Sequence, residues 1–118
     1  MNSPVFDDHF RNPRNTGVVE EADGRVEVEN PVCGDHLVLT WALSLQGELE
    51  TVRFQVYGCP AAIAAGSLVT ELALDLSVDA FRALGADDIA QALGGLEESH
   101  FHAAVLAADV VKALGQKL

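Results

Sequence analysis

The sequence predicts an α+β fold, a three-stranded antiparallel sheet covered by helices, and three observations carry that expectation. Two runs of alternating apolar residues, 36–45 and 50–57, flank Gln46-Gly47-Glu48 at hairpin distance. A shorter run, 25–30, alternates in the same way. From Pro60 onward the apolar spacing changes from that of strands to that of helices. With 118 residues, 49% of them apolar, the chain has the size of one domain, able to bury roughly two-thirds of the surface it exposes when unfolded. A single domain over 1–118 is the expectation.

Taken in order, 2–10 can form a short helix that Asn12, Pro13, Asn15 and Gly17 stop, and 11–23 read as a polar connector. In the first strand, Val26 and Val28 alternate with Glu27 and Glu29, and Asn30-Pro31 ends it. The second strand puts Leu37, Leu39, Trp41, Leu43 and Leu45 on one face, and the third does the same for Val52, Phe54 and Val56. Pro60 suits the first position of a helix whose Ile63, Leu68 and Leu72 form part of a broad apolar surface. Ser77 is expected to cap a short helix to about Leu84, stopped by Gly85. Asp87 is expected to cap another that ends at Gly94-Gly95. Ser99 is expected to cap the last, 100–114, whose apolar face carries Ala103, Leu106, Ala107, Val110 and Leu114.

Charge excludes some functions. Eighteen acidic residues against seven Lys and Arg give a formal net charge of −11, which repels phosphate backbones and anionic lipid surfaces. Neither nucleic acid nor a membrane is an expected partner. No apolar run approaches the roughly 20 residues that span a bilayer, since Ser67, Thr70 and Glu71 interrupt 61–74. Asp7 and Asp8 stand where a secretory signal would be basic and then apolar, so a cytoplasmic location is expected.

The two cysteines, Cys33 and Cys59, admit a disulfide, a metal site, redox chemistry or simple burial, and composition does not choose. Cys33-Gly34-Asp35 lies in the turn before the second strand, where Gly34 frees the backbone and a thiolate and carboxylate two residues apart can converge. Cys59 falls where the third strand meets a helix, near unpaired amides and the positive end of the helix dipole, a setting expected to favour thiolate. His100 and His102 begin the last helix, where the same dipole favours neutral imidazole. Residues two apart face different ways on a regular helix, so one of them is the expected ligand. Cys33, Asp35, Cys59 and a histidine together suit zinc or iron. The absence of Cys-x-x-Cys argues against thiol–disulfide exchange.

Carried by these residues, the chain resembles the IscU/NifU-type family of iron-sulfur cluster assembly scaffolds along nearly its whole length. Asp8-His9-Phe10-Arg11-Asn12-Pro13-Arg14-Asn15-Thr16-Gly17 is similar to the family's opening pattern, and Cys33-Gly34-Asp35 to its first ligand loop. Phe54-Gln55-Val56-Tyr57-Gly58-Cys59, with Ala62-Ile63-Ala64 and Ser67, resembles the second, and Thr70-Glu71-Leu72 continues the match. At the third ligand segment His102 matches the family histidine, but Ala103 stands where its third cysteine would be. Leu96-Glu97-Glu98-Ser99-His100 departs from the Leu-Pro-Pro-Val-Lys segment that dedicated chaperones recognise in some members.

The resemblance implies an IscU/NifU-like fold and a scaffold that is not itself an enzyme. Such a protein takes sulfur from a cysteine desulfurase, takes iron, builds a [2Fe-2S] cluster and passes it to apo iron-sulfur client proteins. The ligands it implies are Cys33, Asp35, Cys59 and His102, with His100 first a supporting donor and second a replacement ligand. Histidine in place of cysteine on a cluster has a precedent in Rieske centres. The same four residues would close a tetrahedral Zn2+ site. The alternative is therefore a zinc-binding or degenerate homologue that docks to a desulfurase without building clusters. Oligomeric state stays open.

Overall fold

The computed structural model describes residues 3–31 and 34–118. Helix α1 (Pro4–Arg11) starts on Ser3, whose Oγ accepts the Phe6 amide hydrogen at 3.0 Å, and it buries Phe6 and His9. Asn2, the expected start, lies outside the described residues. The connector then pairs briefly with the third strand and crosses to the far face of the sheet, where the Val19 amide donates to Thr40 Oγ1 at 2.9 Å.

Strands β1 (Gly24–Glu29), β2 (His36–Leu43) and β3 (Leu49–Tyr57) form an antiparallel sheet in the order β1-β2-β3. Its register aligns Val26 with Leu39 and Leu39 with Phe54. The period of two therefore collects Val26, Leu37, Leu39, Trp41, Val52 and Phe54 on one buried face. β2 stops at Leu43, short of the expected Leu45. A register shift at Ala42/Leu43 and a turn held by Ser44 Oγ, which accepts the Gln46 and Glu48 amides, leave Leu45 fully exposed.

Helix α2 (Pro60–Asp75) packs its small residues on β3. Gly66 is where contact is closest: a β-carbon there would lie 2.7 Å from the Phe54 ring. Ser77 caps α3 (Val78–Arg82) as expected, with Oγ accepting the Ala80 amide at 3.2 Å. Helix α4 (Ala86–Ala92) starts on Gly85, not on Asp87. The Asp88 carboxylate accepts the Gly85 amide at 2.8 Å, and Asp87 sits inside the first turn.

Nor does Ser99 cap the last helix. It lies within a 3-10 turn (Glu98–His100), and α5 (Phe101–Gly115) follows. α5 packs on α2, α4, β1 and β2, burying Ala103, Leu106, Ala107, Val110 and Leu114 as the periodicity predicts. Sheet and helices thus form two layers around one apolar core. No helix among the described residues is long and apolar enough to cross a membrane.

Candidate metal centre

Three chain segments meet at one end of the sheet. The loop before β2 presents Asp35, with Gly34 at φ +73° and the Asn30 amide donating to Asp35 O at 2.7 Å. The β3–α2 junction presents Cys59 as the N-cap residue of α2 (φ −75°, ψ 168°), with Pro60 in the first turn. The start of α5 presents His102.

The donor atoms form a tight triangle. His102 Nε2 lies 3.1 Å from Asp35 Oδ2 and 3.5 Å from Cys59 Sγ, and the Cys59 thiol donates to Asp35 Oδ2 at 3.6 Å. Tetrahedral ligands at ordinary zinc bond lengths would stand about 3.3–3.6 Å apart, so the two separations from Cys59 Sγ match those of a small soft or borderline cation, and the His102–Asp35 pair need only part slightly to admit it. Asp35 is buried, whereas Cys59 and His102 are half-buried, so the triangle is not sealed from solvent. Burial pushes the Cys59 thiol above its ordinary range and the Asp35 carboxylate adds to this, while the Ala62 and Ala61 amides at the start of α2 pull the other way. The expectation that the helix start would favour thiolate is thereby corrected: desolvation outweighs the amides. A cation bound beside the sulfur would reverse that balance, because metal ligation expels the thiol proton.

Residues 2–116 match the family described as the NifU-like N terminal domain. The chain belongs to that family. It is 43% identical over 112 residues to iron-sulfur cluster assembly scaffold protein IscU 1 of Archaeoglobus fulgidus, an overlap of 95% of this chain and 72% of that protein. It is 40% identical over 109 residues to the scaffold protein IscU of Escherichia coli, across 90% and 84% of the two chains. The crystal structure of the N-terminal part of a NifU-like protein from Brucella abortus superposes with a TM-score of 0.63 at 18% identity, covering 97% of this chain and 80% of that one. That likeness establishes the fold.

Against the residues singled out in the sequence, this NifU-like domain brings Asp35, Cys59 and His102 together, while Cys33 lies outside the described residues. Among the described residues Cys59 has no disulfide partner. His100 is not in the group. Its ring stacks on Phe6, with centroids 6.4 Å apart, and its buried Nδ1 has no hydrogen-bond partner among the described residues. The 3-10 turn before α5 turns its ring toward Phe6 of α1, and among the described residues no hydrogen bond joins it to Asp35, Cys59 or His102. Ala103 is fully buried in the helix packing.

Two features of the NifU-like domain escaped the sequence reading. Gly58 faces Asp35 so closely that any side chain would strike its carboxylate. The second is a buried polar network that hangs the N-terminal segment on α2. His9 Nδ1 is 2.7 Å from Ser67 Oγ, Nε2 is 3.1 Å from Glu71 Oε1, and the Arg14 amide donates to Ser67 Oγ at 3.0 Å. With Nε2–H donated to the carboxylate, Nδ1 accepts the Ser67 hydroxyl hydrogen. Asn15 Nδ2 donates to Thr70 Oγ1 at 3.1 Å and extends the network by a turn. The motif resemblance names these same residues, but only the fold shows that they pair.

Proposed function

We propose that this NifU-like domain is a scaffold on which iron and sulfide are joined into a [2Fe-2S] cluster that is then passed to apo client proteins. The convergence of Asp35, Cys59 and His102 from three distant segments carries this reading. Cys33, two residues before Asp35, is the fourth proposed ligand. Two thiolates hold iron firmly, while a carboxylate and an imidazole are harder or more labile partners, so the set suits a cargo that must leave. The names of the Archaeoglobus fulgidus and Escherichia coli relatives support the scaffold assignment. A cysteine desulfurase is the fitting sulfur source. In this reading the chain works as one domain in the cytoplasm, as a carrier and not an enzyme.

Anaerobic reconstitution with ferric iron and sulfide, which together supply the oxidation level of the cluster, tests it. The parent protein should develop the visible absorption of a [2Fe-2S] cluster and convert apo-ferredoxin to its holo form. Cys33→Ala and Cys59→Ala should each lose most of that absorption; uptake equal to the parent's would end the assignment. A second reading rests on the donor spacing, which suits tetrahedral zinc equally, and on alanine at position 103, which leaves two cysteines for the site. Stoichiometric zinc in purified protein, with no cluster after reconstitution, would favour a zinc-holding homologue that docks to a desulfurase.

A further inference from the structure

β3 is an edge strand, and the connector covers only part of that edge. The Phe54 amide donates to Asn15 O at 2.8 Å, and Phe54 O accepts the Gly17 amide hydrogen at 2.9 Å, a parallel pairing of Thr16 with Phe54. Gly17 then turns the chain at φ +110°, and the Val19 amide goes to Thr40 Oγ1 on the far face of the sheet. Backbone groups of alternate strand residues face the same edge, so a continuing connector would next have bonded Val56. It leaves before reaching it. The outward N–H and C=O of Val56 have no hydrogen-bond partner among the described residues.

This open stretch lines a shallow groove of about 450 Å³ together with Pro13 and Ile63. Tyr57, 65% exposed, stands at the end nearest the metal centre, two residues before Cys59. No charged side chain lines the groove.

We infer that this groove docks an extended, basic segment of a partner protein, which adds to β3 as a further strand beside Cys59. An extended main chain is the occupant that offers one acceptor and one donor at the spacing Val56 presents. An unpaired strand edge is otherwise a liability. The inward side chain of the added strand meets Ile63 and Val56 and is apolar. Because the lining is uncharged, the net charge of −11 decides the sign of the partner at long range. One hydrogen-bonded pair with a small apolar contact makes a transient complex, suited to a visitor that must reach Cys59 and depart. The surface is a property of backbone and groove, independent of which metal or cluster the centre holds.

The test is a titration of the isotopically labelled chain, without metal, with a short acetylated peptide of alternating Lys and Val, followed by amide NMR and hydrogen exchange. The expected result is shifts at Gln55, Val56, Tyr57 and Gly17, exchange at the Val56 amide slowed by about tenfold, and binding weakened several-fold by raising salt from about 50 to about 500 mM. Val56→Pro removes the outward N–H without touching the ladder to β2 and should abolish binding. Should that variant not fold, Ile63→Lys, which sets like charge against the peptide, should weaken binding at least tenfold. Shifts centred elsewhere, equal binding of a Glu-Val peptide, or protection of the Val56 amide by concentration-dependent dimerisation without peptide would overturn the proposal.

Discussion

Asp35 fills the space that a β-carbon on Gly58 would need: such a carbon would lie 2.6 Å from Asp35 Oδ1 and 2.8 Å from its Cγ. The glycine before Cys59 thus lets a buried carboxylate reach the sulfur. Gly58→Ala should swing the carboxylate out of the triangle while the apolar core stays intact, since the clash is with a side chain and not with the sheet. Displacing one ligand in this way should weaken zinc binding by roughly tenfold or more, by analogy with the effect of removing groups that orient ligands. Competition with a chromophoric chelator measures it, and a thermal midpoint within a few degrees of the parent's shows that folding is not the cause. Unchanged affinity would mean that Asp35 does not contribute to the site.

His9 predicts a pH dependence with a definite sign. Burial holds its pKa below the ordinary 6.5, against the opposing pull of Glu71. The unfolded chain therefore binds the proton more readily than the folded one. The stability that His9 contributes is complete above pH 6.5 and is lost as pH falls from there through the depressed folded value. Urea midpoints should drop between about pH 7 and about pH 5 more steeply for the parent than for His9→Gln, which does not titrate there. Parallel profiles would place the acid sensitivity elsewhere.

Ser67 holds both sides of the same junction, taking the Arg14 amide hydrogen and facing His9. Ser67→Ala leaves the buried His9 ring nitrogen and the partly buried Arg14 amide short of a partner, at a cost of about 1–3 kcal/mol. Urea denaturation should show that loss. His9→Phe should cost less in the Ser67→Ala background than alone, because the two changes remove one shared bond. Additive losses would mean that the pair is not coupled.

Much of this was readable from the sequence where signals are local. Alternation over 36–57 gave the hairpin and its inner face, because burial of one face of a sheet imposes a period of two on neighbouring residues. Helix starts were less legible. Asp87 and Ser99 are both good capping types, yet Asp88 reaching back to Gly85, and a 3-10 turn before Phe101, won on backbone geometry. At the metal centre the residue types were legible and their convergence was not, since His102 lies 43 residues from Cys59. The Cys59 thiol shows the remaining limit: helix-start amides are a local signal, whereas the burial that outweighs them comes from the packed fold.

Gly66 sets two known effects against each other. In the interior of α2, replacing glycine by alanine should by itself stabilise by about 1 kcal/mol. A β-carbon there, however, would fall 2.7 and 2.8 Å from Phe54 Cδ2 and Cε2 and 3.2 Å from Leu37 Cδ1. Phe54 and Leu37 are themselves buried, so neither can retreat into solvent. Overpacking of this kind costs about 1–3 kcal/mol, which outweighs the gain in helix propensity except at its lowest value. Gly66→Ala should therefore lower the urea midpoint. Adding Phe54→Leu, which removes ring atoms from the point of collision, should make the same Gly66→Ala change less harmful or favourable. If Gly66→Ala stabilised the parent, α2 would have to lift from β3 without loss, and the close helix–sheet contact would not be what requires glycine here.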